Sequence, residues 1–191
     1  MLFVLLGVSA FSAPVIAQES VFSLDAAQTE IHFTLDTSLH TVHGTFKLKS
    51  GEIHFSPASG KASGTIVVDA TSGDTDSSGR DKKMHKEILE SPKFTEIVFV
   101  PTGIQGTISS QGSSQVAVAG VMKLHGQDHD MTLQFTVEPG AAGRLQATTH
   151  FSVPYVKWGL KDPSNFMMHA DDTVNIDIHA SGQLTPGNSS H

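Results

Sequence analysis

Apolar and polar residues alternate one for one along most of this chain. Ile31, Phe33 and Leu35 are apolar and their neighbours polar; Val42, Gly44, Phe46 and Leu48 form a second such series. Gly51, Ile53 and Phe55 form a third, with Glu52 and His54 opposite. Successive side chains of a strand point to opposite faces, so a period of two predicts strands with one buried face. Residues 65–70, 95–100, 116–124, 131–137, 145–153 and 174–184 carry the same signature. Turn residues separate the runs at 49–51, 57–60, 103–112, 125–128 and 139–143. Eight or more evenly spaced strands predict an all-β chain, either a closed barrel or a sandwich.

One stretch breaks the alternation. Between Ser78 and Leu89 helix formers dominate, and Met84, Ile88 and Leu89 fall on one side of a 3.6-residue period. Asp81 near its start complements the helix dipole. A short amphipathic helix is predicted at about 79–89, ended by the turn at Ser91-Pro92.

The first seventeen residues contain no Lys, Arg, Asp or Glu. They are too few for a bilayer span, which takes about 20 apolar residues. With small residues at Val15 and Ala17, they read as a cleaved secretory signal, although a basic leading segment is missing. Residues 18–184 then form one domain, and the polar residues 185–191 a disordered tail. No stable membrane insertion is expected once the signal is removed.

Charge and cysteine content narrow the partners. Net charge is −7, only 16% of residues are charged, and Lys and Arg form no cluster. Nucleic acids and anionic surfaces are poor partners for such a chain. The absence of Cys excludes disulfides, thiolate metal sites and lipid attachment at a cysteine.

Catalytic signatures are sparse. No Gly-x-Ser-x-Gly elbow and no phosphate-binding loop between strand and helix occurs. Asp171-Asp172 is a loop pair with no apolar wall to raise a pKa. Eleven His with Met84, Met122, Met131, Met167 and Met168 allow a copper site to be imagined. On a strand, however, His40 and His43 face opposite sides, while His32, His54, His150 and His179 lie on polar faces. The expectation is no catalytic residue, no metal and no cofactor. A lipid-modifying hydrolase or isomerase and a His/Met metal-binding accessory protein are the alternatives. The barrel interior mixes Phe33, Phe46, Phe99, Phe135 and Phe151 with Gly44, Gly120, Ala147 and Thr149. A packed core and a lumen with room for a ligand both fit that mixture.

Several short motifs occur in a specific order. They are Phe22-Ser-Leu-Asp25 with Glu30-Ile-His-Phe33, Gly44-Thr-Phe46, and Gly51-Glu-Ile-His-Phe55. Arg80-Asp81, His85, Phe94 and Ile97-Val-Phe99 follow, then Lys123-Leu-His-Gly126 with Met131-Thr-Leu133. Tyr155-Val-Lys-Trp-Gly-Leu160 and Asp172-Thr-Val-Asn-Ile-Asp-Ile178 close the series. From about Phe22 to Leu184 the chain resembles the YceI-like family, lipocalin-like periplasmic proteins associated with polyisoprenoid binding. It departs from that pattern at Phe22, where Trp is usual, and at Phe94-Thr95, where Tyr-Pro is usual.

The resemblance implies an eight-stranded antiparallel barrel with its helix by one end, a periplasmic location, and an isoprenoid chain of polyprenyl or quinone type threaded through the interior. The expected lining is Phe33, Phe46, Phe55, Phe99, Leu133, Phe135, Phe151 and Trp158. Tyr155, Trp158, Met84, Ile88 and Leu89 would stand at the mouth, and Arg80 and His85 would meet a head group. Monomer and homodimer are both open.

Overall fold

The computed structural model describes residues 19–187. The segment expected to be a signal lies outside them. Nine strands follow in order: β1 (Ser20–Leu24), β2 (Glu30–Leu35), β3 (Val42–Ser56), β4 (Lys61–Asp74), β5 (Glu96–Gln105), β6 (Ser114–Leu124), β7 (Gln127–Pro139), β8 (Arg144–Val153) and β9 (Val174–Pro186). All pair antiparallel, each with its neighbours, and the sheet closes on itself.

Nine strands make eight staves. Both β1 and β2 run between β3 and β9, β1 beside one half of each and β2 beside the other. The five residues between them leave the ladder where the Asp25 amide donates to the Ser181 carbonyl. The first stave is thus one strand broken by a turn, and the barrel is the eight-stranded antiparallel one expected.

The alternating residues face inward. Ile31, Phe33, Val42, Leu48, Phe55, Val116, Val118, Leu133, Val137, Leu145 and Ala147 are all buried. The apparent turn at 49–51 is instead an irregularity within β3, where the register against β4 slips between Leu48 and Ser50. The slip moves the inward parity from even to odd residues, so a bulge imitated a turn in the sequence. Between β6 and β7 the turn is only His125-Gly126, with Leu124 opposite Gln127. Both turn residues have positive φ, which suits the tightest hairpin connection. Thr185 and Pro186, expected in the tail, pair with Val21 and Ser20 and belong to the barrel.

The helix, α1 (Ser78–Lys83), continues into a wider π-helical turn at Met84–Ile88. Its wider pitch shows in the Leu89 amide, which bonds the Met84 carbonyl five residues back. The helix lies over the barrel end where β4 leads to β5. The irregular segment 154–173, between β8 and β9, covers the same end.

One ladder is short. β7 and β8 pair only from Thr136↔Thr148 to Pro139↔Leu145, whereas β8 and β9 share ten pairs. On the helix side of Thr136 the two strands part. Segment 154–160 meets β7 there: the Trp158 and His129 rings stack with centroids 3.9 Å apart.

Candidate ligand-binding site

The barrel interior has two halves of different character. Toward the β3–β4 and β7–β8 turns, Phe22, Phe55, Val116, Val118, Leu133, Val137, Leu145, Ala147 and Ala180 join in one packed core. Toward the helix a cavity of about 270 Å³ remains. Its walls are Ile31, Phe33 and Leu35 of β2, Val42 and Phe46 of β3, Val68 of β4 and Ile97 of β5. Met122 and Leu124 of β6, Phe151 and Val153 of β8, and Val174, Ile176 and Ile178 of β9 complete them. Met84, Ile88 and Leu89 roof it from the helix; Tyr155, Leu160, Pro163, Met168 and Ala170 close it from segment 154–173. The only polar side chains in the lining are Thr37, Thr75, Arg80, Lys83 and the Tyr155 hydroxyl. Every stave but β7 contributes.

Of the residues expected to line a ligand site, Phe33, Phe46, Phe151, Tyr155, Met84, Ile88 and Leu89 surround this cavity. Phe55, Leu133 and Phe135 are elsewhere: they pack in or against the plugged half. Trp158 is outside too, held against His129. Phe99 lies under Gly120, where an added Cβ would sit 2.5 Å from its ring. Glycine gaps that looked like room for a ligand are therefore occupied by rings from the neighbouring strand. Phe33 fills the space over Gly44 in the same way. Consequently no continuous tube runs the length of the barrel.

The rim is fastened by hydrogen bonds. Asp81 Oδ1 accepts from the Thr75 amide at 3.0 Å and from its hydroxyl at 2.6 Å. Arg80 donates through Nε to Thr75 Oγ1 (2.8 Å) and through a terminal nitrogen to the Thr75 carbonyl (2.7 Å). The guanidinium thus reaches the cavity rim but is already engaged in holding the helix to the end of β4.

His85, the other head-group candidate, does not reach the cavity. Its Nε2 is 2.8 Å from the Gly73 carbonyl and its Nδ1 2.8 Å from Ser91 Oγ. A carbonyl only accepts, so Nε2 carries the proton. Nδ1 shares the second hydrogen bond with the Ser91 hydroxyl. His85 ties the π-turn to a loop in β4, where residues 70–73 leave the ladder between Lys47↔Asp69 and Thr45↔Asp74.

Segment 154–173 is joined to the helix by Lys83 Nζ, which donates to the Pro163 carbonyl (2.9 Å), and by the Lys161–Glu87 ion pair (2.7 Å). The Tyr155 hydroxyl donates to the Asp171 carbonyl at 2.7 Å. Burial first, and then the charges of Asp162, Asp172 and Asp171, push its pKa up to about 12.

The sequence reading missed Leu160, Pro163, Met168 and Ala170 because they sit in irregular chain, where no period marks a buried face. It also missed Lys83, which a helical reading places among solvated residues. Among the described residues, no three His, Asp or Glu side chains come together as a metal-holding group. No described helix is long and apolar enough to cross a membrane.

Comparison with known proteins agrees with this architecture. BcnA of Burkholderia cenocepacia superposes with a TM-score of 0.70 at 17% identity, covering 83% of this chain and 98% of that one. A polyisoprenoid-binding domain from Saccharophagus degradans, implicated in plant cell wall breakdown, gives 0.66 at 18% identity, covering 86% and 98%. A YceI protein of Campylobacter jejuni gives 0.58 at 17% identity, covering 78% and 86%. No curated protein matches the sequence. At these identities the likenesses carry the fold alone. The sequence itself matches the YceI-like domain model over residues 22–181, and the chain belongs to that family.

Proposed function

We propose that this protein binds an isoprenoid lipid, holding a stretch of its chain in the cavity at the helix end of the barrel. The supporting observation is the wall: apolar side chains from seven staves and the helix, with few polar groups among them and those engaged in hydrogen bonds at the helix end. Such a site offers no orienting polar group inside, so it suits a ligand that is hydrocarbon over its length. Each buried CH₂ contributes about 0.8 kcal/mol, so affinity comes from chain length. The relative from Saccharophagus degradans is described as a polyisoprenoid-binding domain, which favours the same ligand class.

The cavity also sets a limit. At 270 Å³ it is slightly smaller than the ~300–1,000 Å³ usual for small-molecule sites. A short stretch of chain fills it, and the rest of a polyprenyl or quinone-type tail leaves through the rim. A head group would then stay outside, near Lys83 and the engaged Arg80. The protein acts as a carrier or store for a tail that water does not dissolve, in the periplasm after export through residues 1–17, and it performs no chemistry on its cargo.

Native mass spectrometry with organic extraction of the purified protein tests this. A co-purified prenyl lipid is the expected result. Protein that carries none, and takes up no prenol of any length on titration, refutes the proposal. Among prenols, affinity should climb with chain length and then level off once the cavity is full. A climb that continues to the longest chains would instead point to a thread through the packed half.

A further inference from the structure

The large apolar side chains most exposed in this structure are Leu39, Phe166 and Met167, at 66%, 104% and 80% of full exposure. All three stand at the mouth. Leu39 tops the β2–β3 connection, where Thr37 Oγ1 accepts from the Leu39 and His40 amides. Phe166-Met167 tops a tight turn in which the Asn165 amide donates to the Met168 carbonyl and Asn165 Oδ1 accepts from the Met167 amide.

The two connections are one platform. Thr37 and Ala170 form a β-bridge, the Ser38 amide donates to the His169 carbonyl (2.7 Å), and the His169 amide donates to Ser38 Oγ (3.0 Å). Thr37, Met168 and Ala170, adjoining the exposed residues in sequence, line the cavity. The tips therefore stand within three residues of the cavity wall.

Turn tips favour Gly, Asn, Asp, Ser and Pro for backbone reasons. Phe and Met there serve no turn geometry, and nothing in the barrel packs on them. Three side chains of about 200 Å² each also fall short of the ~800 Å² per partner of a standard protein interface. They protrude rather than form a concave site. Protruding apolar tips around an apolar opening fit a lipid bilayer surface.

We infer that the protein docks this end of the barrel on a lipid bilayer, with Leu39, Phe166 and Met167 entering the interface and the cavity mouth facing the membrane. A hydrocarbon chain could then pass between bilayer and cavity without crossing water. Net charge of −7 means that charge does not drive the approach, so an electrically neutral bilayer suffices. Lys82 and Lys86, exposed on the helix beside the mouth and in no ion pair among the described residues, would be free to meet lipid phosphates in that orientation. The inference does not depend on which lipid the cavity holds.

The test is co-sedimentation with phosphatidylcholine vesicles. It uses the chain from Gln18 onward, which keeps every strand of the barrel and removes the apolar leader as a competing anchor. The native sequence should partition onto vesicles, with little change when salt is raised. Replacing Leu39, Phe166 and Met167 together by Ser should weaken partitioning about 1,000-fold, allowing about tenfold for each side chain. The thermal midpoint should not move, because none of the three is packed. Phe166→Trp should bind with a blue-shifted emission that the native protein lacks.

Failure of the native protein to partition overturns the inference. So does equal partitioning of the triple variant, or no blue shift from Phe166→Trp. A variant that instead changes the sedimenting mass assigns these tips to a second copy of the chain. Ile176→Trp, which fills the cavity, separates the two readings: it should abolish prenol uptake and leave vesicle partitioning intact.

Discussion

Replacing Gly44 by Ala should damage stability and the cavity together. A Cβ at position 44 would lie 2.6 Å from the Asp74 carbonyl oxygen and closer still to the Phe33 ring. Asp74 is fixed by its pairing with Thr45, and Gly44 by its pairing with Phe33. The ring must therefore yield by roughly 1 Å to regain ordinary contact. It already packs against Phe46, with centroids 5.2 Å apart, so the space open to it is the cavity. Overpacking of this kind costs about 1–3 kcal/mol. For a barrel of this size that is a fall in thermal midpoint of about 2–12 °C. The displaced ring also occupies volume that a hydrocarbon chain needs. Differential scanning calorimetry reads the first effect, and titration with a fluorescent prenol analogue reads the second. Phe33→Leu added to Gly44→Ala should restore the part of the stability lost to the ring but not the part lost to the Asp74 carbonyl, and the double-mutant cycle would show coupling of at least about 0.5 kcal/mol. An unchanged midpoint with full prenol affinity in Gly44→Ala would refute the claim that the glycine exists to seat the ring.

Leu133→Ala, in the plugged half, should cost about 2–5 kcal/mol in denaturant unfolding and leave prenol affinity unchanged, since Leu133 does not touch the cavity. Asp81→Ala strands the buried Thr75 amide and hydroxyl; urea titration should show a loss of about 1–3 kcal/mol, with the helix freed from the rim. Tyr155 is the only tyrosine, so ultraviolet absorbance follows its ionisation directly. Its pKa is raised from 10.0 in the unfolded chain to about 12 in the fold. The folded state then holds the proton more tightly, so this stabilisation is complete below pH 10 and lost as pH rises toward 12. Tyr155→Phe should flatten that alkaline loss; a native protein whose tyrosine titrates near 10 would contradict the buried placement.

What could be read from the residues follows from what alternation encodes. A period of two says which side chains face inward, and it placed Phe33, Phe55, Leu133 and Phe151 inside the barrel. It carries no information about height along the barrel axis. For that reason Phe55 and Leu133, as regular as Phe33, proved to belong to the plug and not to the cavity. Small inward residues were ambiguous for a related reason: a glycine shows that something needs space, without saying whether a ligand or a ring from the next strand takes it. The helix was visible through Met84 and Ile88, but its widening into a π-turn, in which His85 bridges Gly73 and Ser91, has no signature in the hydrophobic period. Leu160, Met168 and Ala170 sit in chain without a repeat, and only the folded arrangement brings them to the cavity.

A cylinder whose hydrogen bonds ran unbroken around its circumference could swell only by tearing a whole row of them. Here the longest break in the circumference is where β7 and β8 part beyond Thr136 and Thr148; the other interruptions are short bulges and turns. Along that opening the girth is kept by the Trp158–His129 stack, a contact that slides at little cost compared with a ladder of backbone bonds. Dilation of the vessel can therefore be confined to one side, leaving the other staves undisturbed. A cargo larger than the resting volume would lengthen this placket, and amide exchange at the pairs that border it, Thr136 to Glu138 and Gln146 to Thr148, would report it first.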